Sequence, residues 1–97
     1  MLDFYAINDS LNKNTKKTEL KLAGKLDEKS FYDLQNKKII EDWLDYYADF
    51  RWTKETVKQK IKLINDLKLE KENSSMSLLA ILKVAEKNCE GIIAFSD

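Results

Sequence analysis

Apolar and polar positions alternate from Leu2 to Ile7, with Leu2, Phe4 and Ala6 on one side and Asp3, Tyr5 and Ile7 on the other. A period of two predicts a strand. Asn8-Asp9-Ser10 ends it, and the polar, lysine-rich run through Lys17 reads as a connection. Thr18 to Ala23 alternates again, with Leu20 and Leu22 set against Glu19 and Lys21, until Gly24 breaks the pattern. The period then lengthens. Asp27 has the character of a helix N-cap, with Glu28 in the first turn where negative charge is favoured, and Phe31 and Leu34 supply the apolar face. Ile40, Trp43, Leu44 and Tyr47 recur at i, i+3, i+4 and i+7 and predict a second helix that turns Trp43 and Tyr47 toward the core. At about 100° per residue they fall on the side opposite Phe31, so a break is expected near Asn36-Lys37.

Residues 45–52 are the least regular and most aromatic part of the chain. Thr53 then caps a further predicted helix lined by Val57, Ile61, Ile64 and Leu67, with Lys54, Glu55, Lys58 and Lys62 turned outward. Glu70 to Ser75 reads as a solvated connection. Leu78, Ile81, Leu82 and Ala85 define a last helix, with Gly91 where a left-handed cap is usual. Ile92-Ile93-Ala94-Phe95 is apolar on both faces, as an interior strand would be. The expected fold class is α+β: one domain, residues 1–97, with a small sheet from two N-terminal strands and the C-terminal strand, the last beside the first, packed against three to four helices.

Composition narrows the chemistry. A chain of 97 residues has a modest core and little room for a deep internal pocket. No apolar run approaches the roughly 18 residues that cross a bilayer, and Met1-Leu2-Asp3-Phe4-Tyr5 lacks the basic-then-apolar start of a secretion signal. One cysteine, Cys89, suits a reducing compartment and reads as a packing residue, so the expectation is a soluble cytoplasmic protein with no membrane partner. Histidine is absent, which removes the usual neutral-pH base, the usual zinc ligand and the centre of a catalytic triad. The two glycines, Gly24 and Gly91, are too far apart for a phosphate-cradling loop. Neither an enzyme, nor a metal, nor any other cofactor is expected. Carboxylates are the remaining catalytic option: Glu41, Asp42, Asp45 and Asp49 lie close in sequence, and such groups can hydrolyse glycosides or hold magnesium. The polar side of an amphipathic helix is the more economical account of them.

Net charge is zero, but it is unevenly spread. Residues 27–49 carry seven acids and three lysines, and residues 50–73 carry four acids and seven bases. The acidic stretch is interleaved with aromatics, which suits a surface that meets a basic protein. The lysines of residues 54–71 alternate with Glu55, Asp66 and Glu70, which argues against a nucleic-acid partner. A regulatory or nucleic-acid-associated module is the alternative. Tyrosine, tryptophan and arginine dominate interface energetics. The expected partner-binding residues are therefore Asp42, Asp45, Tyr46, Asp49, Phe50, Arg51 and Trp52, with at least one of Tyr46, Phe50 and Trp52 exposed.

Four segments resemble the small immunity proteins encoded beside bacterial toxins of interbacterial competition. Leu2-Asp3-Phe4-Tyr5-Ala6-Ile7-Asn8-Asp9 is similar to their Phe-Tyr-x-Ile-Asp-Asp opening strand. Asp45-Tyr46-Tyr47-Ala48-Asp49-Phe50-Arg51-Trp52 is similar to an Asp-Pro-Tyr-Gly-x-Thr-Arg-Leu loop before a helix, though without its proline and glycine. Leu78-Leu79-x-Ile81-Leu82 and Gly91-Ile92-Ile93-Ala94-Phe95-Ser96-Asp97 are similar to their final helix and strand. The resemblance implies a monomeric or homodimeric cytoplasmic inhibitor that occludes a cognate protein toxin, such as a nuclease, without catalysis of its own.

Overall fold

The two segments with the strongest strand character, at opposite ends of the sequence, pair with each other at the centre of a sheet. The computed structural model describes residues 1–7, 20–88 and 90–96. In chain order they form β1 (Leu2–Ile7), β2 (Lys21–Leu26), α1 (Glu28–Asn36), β3 (Phe50–Trp52), α2 (Lys54–Asp66), α3 (Asn73–Lys87) and β4 (Gly91–Ser96). The fold is α+β. The sheet has the order β2-β1-β4-β3, every pair antiparallel, with Leu2 opposite Ser96 and Ile7 opposite Gly91. β4 is interior, as its two apolar faces require.

Alternation along the strands puts Leu2, Phe4, Ala6, Trp52, Ile92 and Ala94 into one core with Phe31, Leu34, Val57, Ile64, Leu78 and Leu82 of the helices. Each fully buried Leu, Ile, Val or Phe among them contributes about 1.5–3 kcal/mol. Gly24 does not end the second strand. It lies opposite Phe4, while Tyr5 pairs with Leu22, so Ala23 is the extra residue of a bulge. A Cβ on Gly24 would stand 2.6 Å from Cγ1 of Ile81. The missing side chain is what lets β2 approach α3 this closely.

α1 starts where expected, with the Asp27 carboxylate accepting the Ser30 N–H at 2.7 Å, and ends at Asn36. Its end is built without glycine. Lys38 takes a left-handed φ of 63°, and the N–H groups of Lys38 and Ile39 donate back to the carbonyls of Gln35 and Leu34, both at 3.0 Å. α2 repeats the device: Lys68 has φ 57°, and Lys68 and Leu69 donate to Asn65 and Ile64. Thr53 caps α2 through its hydroxyl, and Val57, Ile61 and Ile64 are buried as expected, although Leu67, at the helix end, is exposed.

The predicted helix over Ile40 to Tyr47 does not form. Residues 37–49 are a chain of turns, because the cap at Lys38 reverses the backbone and Ile39 and Ile40 are then both drawn into the core. α3 begins at Asn73, inside the segment expected to be solvated, and buries Ser74 and Ser75. Gly91 opens β4 rather than capping α3, whose C-cap is Asn88. The predicted connection after Ile7, the start of the second strand at Thr18, and the reading of Cys89 lie outside the described residues. No helix of the described residues is long and apolar enough to cross a membrane.

Candidate functional site

The turns of residues 37–49 carry the exposed members of the acidic-aromatic segment, and the core side of this loop explains how they are held. Gln35 reaches from α1 and donates its amide to the carbonyls of Glu41 at 3.0 Å and Leu44 at 2.8 Å. Lys60 projects from α2 beneath the loop and is only 6% exposed. Its ammonium donates to the carbonyl of Ile39 at 2.7 Å and to the Glu41 carboxylate, and it lies 4.6 Å from the centre of the Trp52 ring. The indole N–H of Trp52 donates to the other Glu41 oxygen at 3.0 Å. A buried lysine is tolerable only with its charge paired and its hydrogen bonds made, and all of these partners belong to the loop or to the strand that follows it.

Further along, Asp45 accepts the backbone N–H of Tyr47 at 2.9 Å, fixing a tight turn. Asp49 accepts the N–H of Ser96 at 3.0 Å, tying the loop's end to β4. Tyr46 turns inward against Phe31, 5.5 Å between ring centres, with its hydroxyl toward the Leu26 carbonyl at 3.4 Å.

The aromatic residues are thus distributed otherwise than helical spacing predicts. Trp43 is 82% exposed and Tyr47 63% exposed, whereas Tyr46 and Trp52 are buried at 7% and 3%. Phe50 is half-buried against Phe4 and Trp52, and Arg51 is half-buried in β3. Of the seven residues expected to bind a partner, Asp42, Asp45 and Asp49 face solvent, while Tyr46 and Trp52 belong to the core. The reason is local. A loop pinned at Ile39, Ile40 and Tyr46 throws Trp43 and Tyr47 outward, and a strand alternates Phe50 and Trp52 inward.

Two surfaces flank this loop. On one side a shallow groove of about 450 Å³ is lined by Lys38, Trp43, Trp52, Thr56, Gln59 and Leu63, among others. On the other, Tyr32 of α1 stands 6.5 Å from Tyr46, and Tyr46 stands 5.1 Å from Tyr47. The Tyr47 hydroxyl donates to the Glu28 carboxylate. That bond holds the phenol proton and, with partial desolvation and the Glu28 charge, pushes the Tyr47 pKa up to about 12. Burial, then the charges of Glu28 and Asp27, raises the phenol of Tyr46 as well. Glu28, Tyr32 and Lys60 were not distinguishable in the sequence, since each joins the site only through tertiary packing.

The four carboxylates of the loop do not converge. Glu41 is held by Lys60 and Trp52, Asp42 by Lys38 at 3.0 Å, Asp45 by the Tyr47 N–H and Asp49 by the Ser96 N–H. Among the described residues no group of three or more His, Cys, Asp or Glu side chains is placed to hold a metal ion. A second acidic cluster joins α1 to the start of α3: Lys37 pairs with Asp33 at 2.8 Å and with Glu72, and the Ser74 hydroxyl donates to Asp33. Lys37, then Ser74, holds the Asp33 carboxyl below the usual carboxylate range. No protein-family model, no curated protein and no solved structure matches this chain.

Proposed function

We propose that this domain is a protein inhibitor, of the kind that neutralises a cognate bacterial toxin by covering it, and that residues 41–49 form its contact surface. It would act in the cytoplasm, as a monomer or homodimer. The observation that carries this reading is the exposure of Trp43 and Tyr47 on a loop whose backbone is fixed from beneath by Lys60, Gln35 and the buried Tyr46. Large aromatics left in water on an ordered loop are suited to binding, because little further ordering is needed when a partner arrives. Asp42, Asp45 and Asp49 surround them with negative charge, which speeds approach to a basic surface such as the rim of a nuclease active site.

The test is co-expression of the tagged protein with the product of the adjacent gene. The reading expects a one-to-one complex and loss of the neighbour's toxicity. Replacing Trp43 or Tyr47 by alanine should weaken that complex by about 2 kcal/mol or more, roughly thirtyfold in Kd. Elution of the protein alone, with its neighbour still toxic, would overturn the inhibitor reading. A complex indifferent to the double Trp43→Ala, Tyr47→Ala change would move the contact surface elsewhere on the domain.

A further inference from the structure

We propose that the tyrosine cluster beside the N-terminus of α1 receives an arginine side chain of a protein partner. The inference rests on the reading of this loop as a protein-binding surface, and adds which side chain is recognised and where. Buried Tyr46 forms the base of the cluster, and exposed Tyr32 and Tyr47 flank it, the Tyr46 and Tyr47 rings standing at 90° to each other. Three carboxylates rim these rings. Glu28 accepts from the Tyr47 hydroxyl, Asp45 from the Tyr47 N–H, and Asp27 from the Ser30 N–H.

Among the described residues, none of these three is within ion-pair distance of a lysine or arginine, whereas Asp33, Glu41, Asp42 and Glu72 each are. Lys29, next on the helix, offsets part of the charge of Asp27. Burial of Tyr46 and the Glu28 bond of Tyr47 are the main causes that raise these phenols, and the charge of Glu28 adds to both, as that of Asp27 does at Tyr46.

Ring faces attract cations, and the attraction adds to that of a nearby carboxylate. A guanidinium uses both at once: its plane stacks on a tyrosine, and its edge makes paired N–H bonds to a carboxylate. An ammonium is a compact, strongly hydrated charge that cannot stack in this way. A neutral side chain gains neither term.

The probes are three capped pentapeptides, identical except for a central arginine, lysine or citrulline, titrated into the labelled full chain and followed by NMR. The arginine peptide should move the ring signals of Tyr32 and Tyr47 saturably. The lysine peptide should bind about threefold to fivefold more weakly and the citrulline peptide about tenfold more weakly. Glu28→Gln and Tyr47→Ala should each weaken the arginine peptide about fivefold, and the control Glu86→Gln on the exposed side of α3 should leave it unchanged. Both altered side chains are exposed, and an unchanged melting midpoint separates loss of binding from loss of fold.

Equal binding of arginine and citrulline, shifts centred on the Trp43 groove, or no saturable shift would overturn the proposal. Such a failure leaves a co-purified complex standing, since that complex can use the Trp43 side of the loop. Arginine selectivity without a co-purifying neighbour would retain this site and discard the toxin.

Discussion

Replacing Lys60 by methionine keeps the aliphatic stem and deletes the ammonium, so it tests whether the buried charge holds the loop. The change leaves the Ile39 carbonyl without its 2.7 Å donor and the Glu41 carboxylate with only the Trp52 N–H. Breaking a fully buried pair by removing one partner costs about 3–5 kcal/mol. The Glu41 side chain retains 22% of its exposure, so water recovers part of that loss. The expected cost is about 2–3 kcal/mol, with the loss of the ring contact included rather than added.

With a urea dependence of about 1 kcal/mol/M for a domain of this size, the unfolding midpoint should fall by about 2–3 M, read from tryptophan fluorescence. The double change Lys60→Met, Glu41→Gln removes both charges and keeps an acceptor for the Trp52 indole. It should cost only about 1 kcal/mol, less than the single change, because no unpaired charge remains. A double variant as unstable as the sum of its singles would refute the pairing argument. So would a Lys60→Met variant within about 0.5 kcal/mol of the parent.

Gly24→Ala should destabilise the protein by about 1–3 kcal/mol, since the new Cβ must displace Ile81; an unchanged denaturation midpoint would contradict the close approach of β2 to α3. Lys68→Gly should stabilise by about 0.5–1 kcal/mol in the same assay, because glycine adopts the φ of 57° without strain. In a spectrophotometric titration Tyr47 should ionise only near pH 12, and Glu28→Gln should return it toward the ordinary tyrosine range. Its raised pKa favours the folded state below the unfolded value near 10, and that contribution is lost as the pH rises through the folded value. Increasing alkaline stability across that window would contradict the hydrogen bond.

Much of the fold was legible because local pattern and tertiary burial agree there. Period two in Leu2–Ile7, two apolar faces in Ile92–Phe95, and the Asp27 and Thr53 caps each fix an element from its own residues. The end of α1 near Asn36-Lys37 was legible from the switch of apolar face, but its cap was not, because Lys38 and Lys68 occupy left-handed positions where glycine is the usual signal. The helical spacing of Ile40, Trp43, Leu44 and Tyr47 is coincidental, arising from turns whose anchors are Ile39, Ile40 and Tyr46. At the candidate site Asp42, Asp45 and Asp49 face solvent as expected, while Glu41 is drawn in by Lys60 and Trp52 and the aromatics were exchanged between core and solvent. Strand β3 has only three residues, too few to show a period, so nothing local marked Phe50 and Trp52 as inward. Lys60 carries its meaning only through Glu41 and Trp52, neither of which is its neighbour in sequence.

The antiparallel pairing of β1 with β4 has a kinetic consequence. Within this domain β1 must wait for β4, since Leu2 is paired with Ser96 across the helices that lie between them in sequence. Closing so long a loop forfeits chain entropy before any contact across the sheet repays it. The α2–α3 pair can form contacts early because its helices are adjacent in sequence, but β1 has only β2 beside it until β4 is made. The apolar face of Leu2, Phe4 and Ala6 therefore gains its β4 neighbour only after the segments between the two strands have been made.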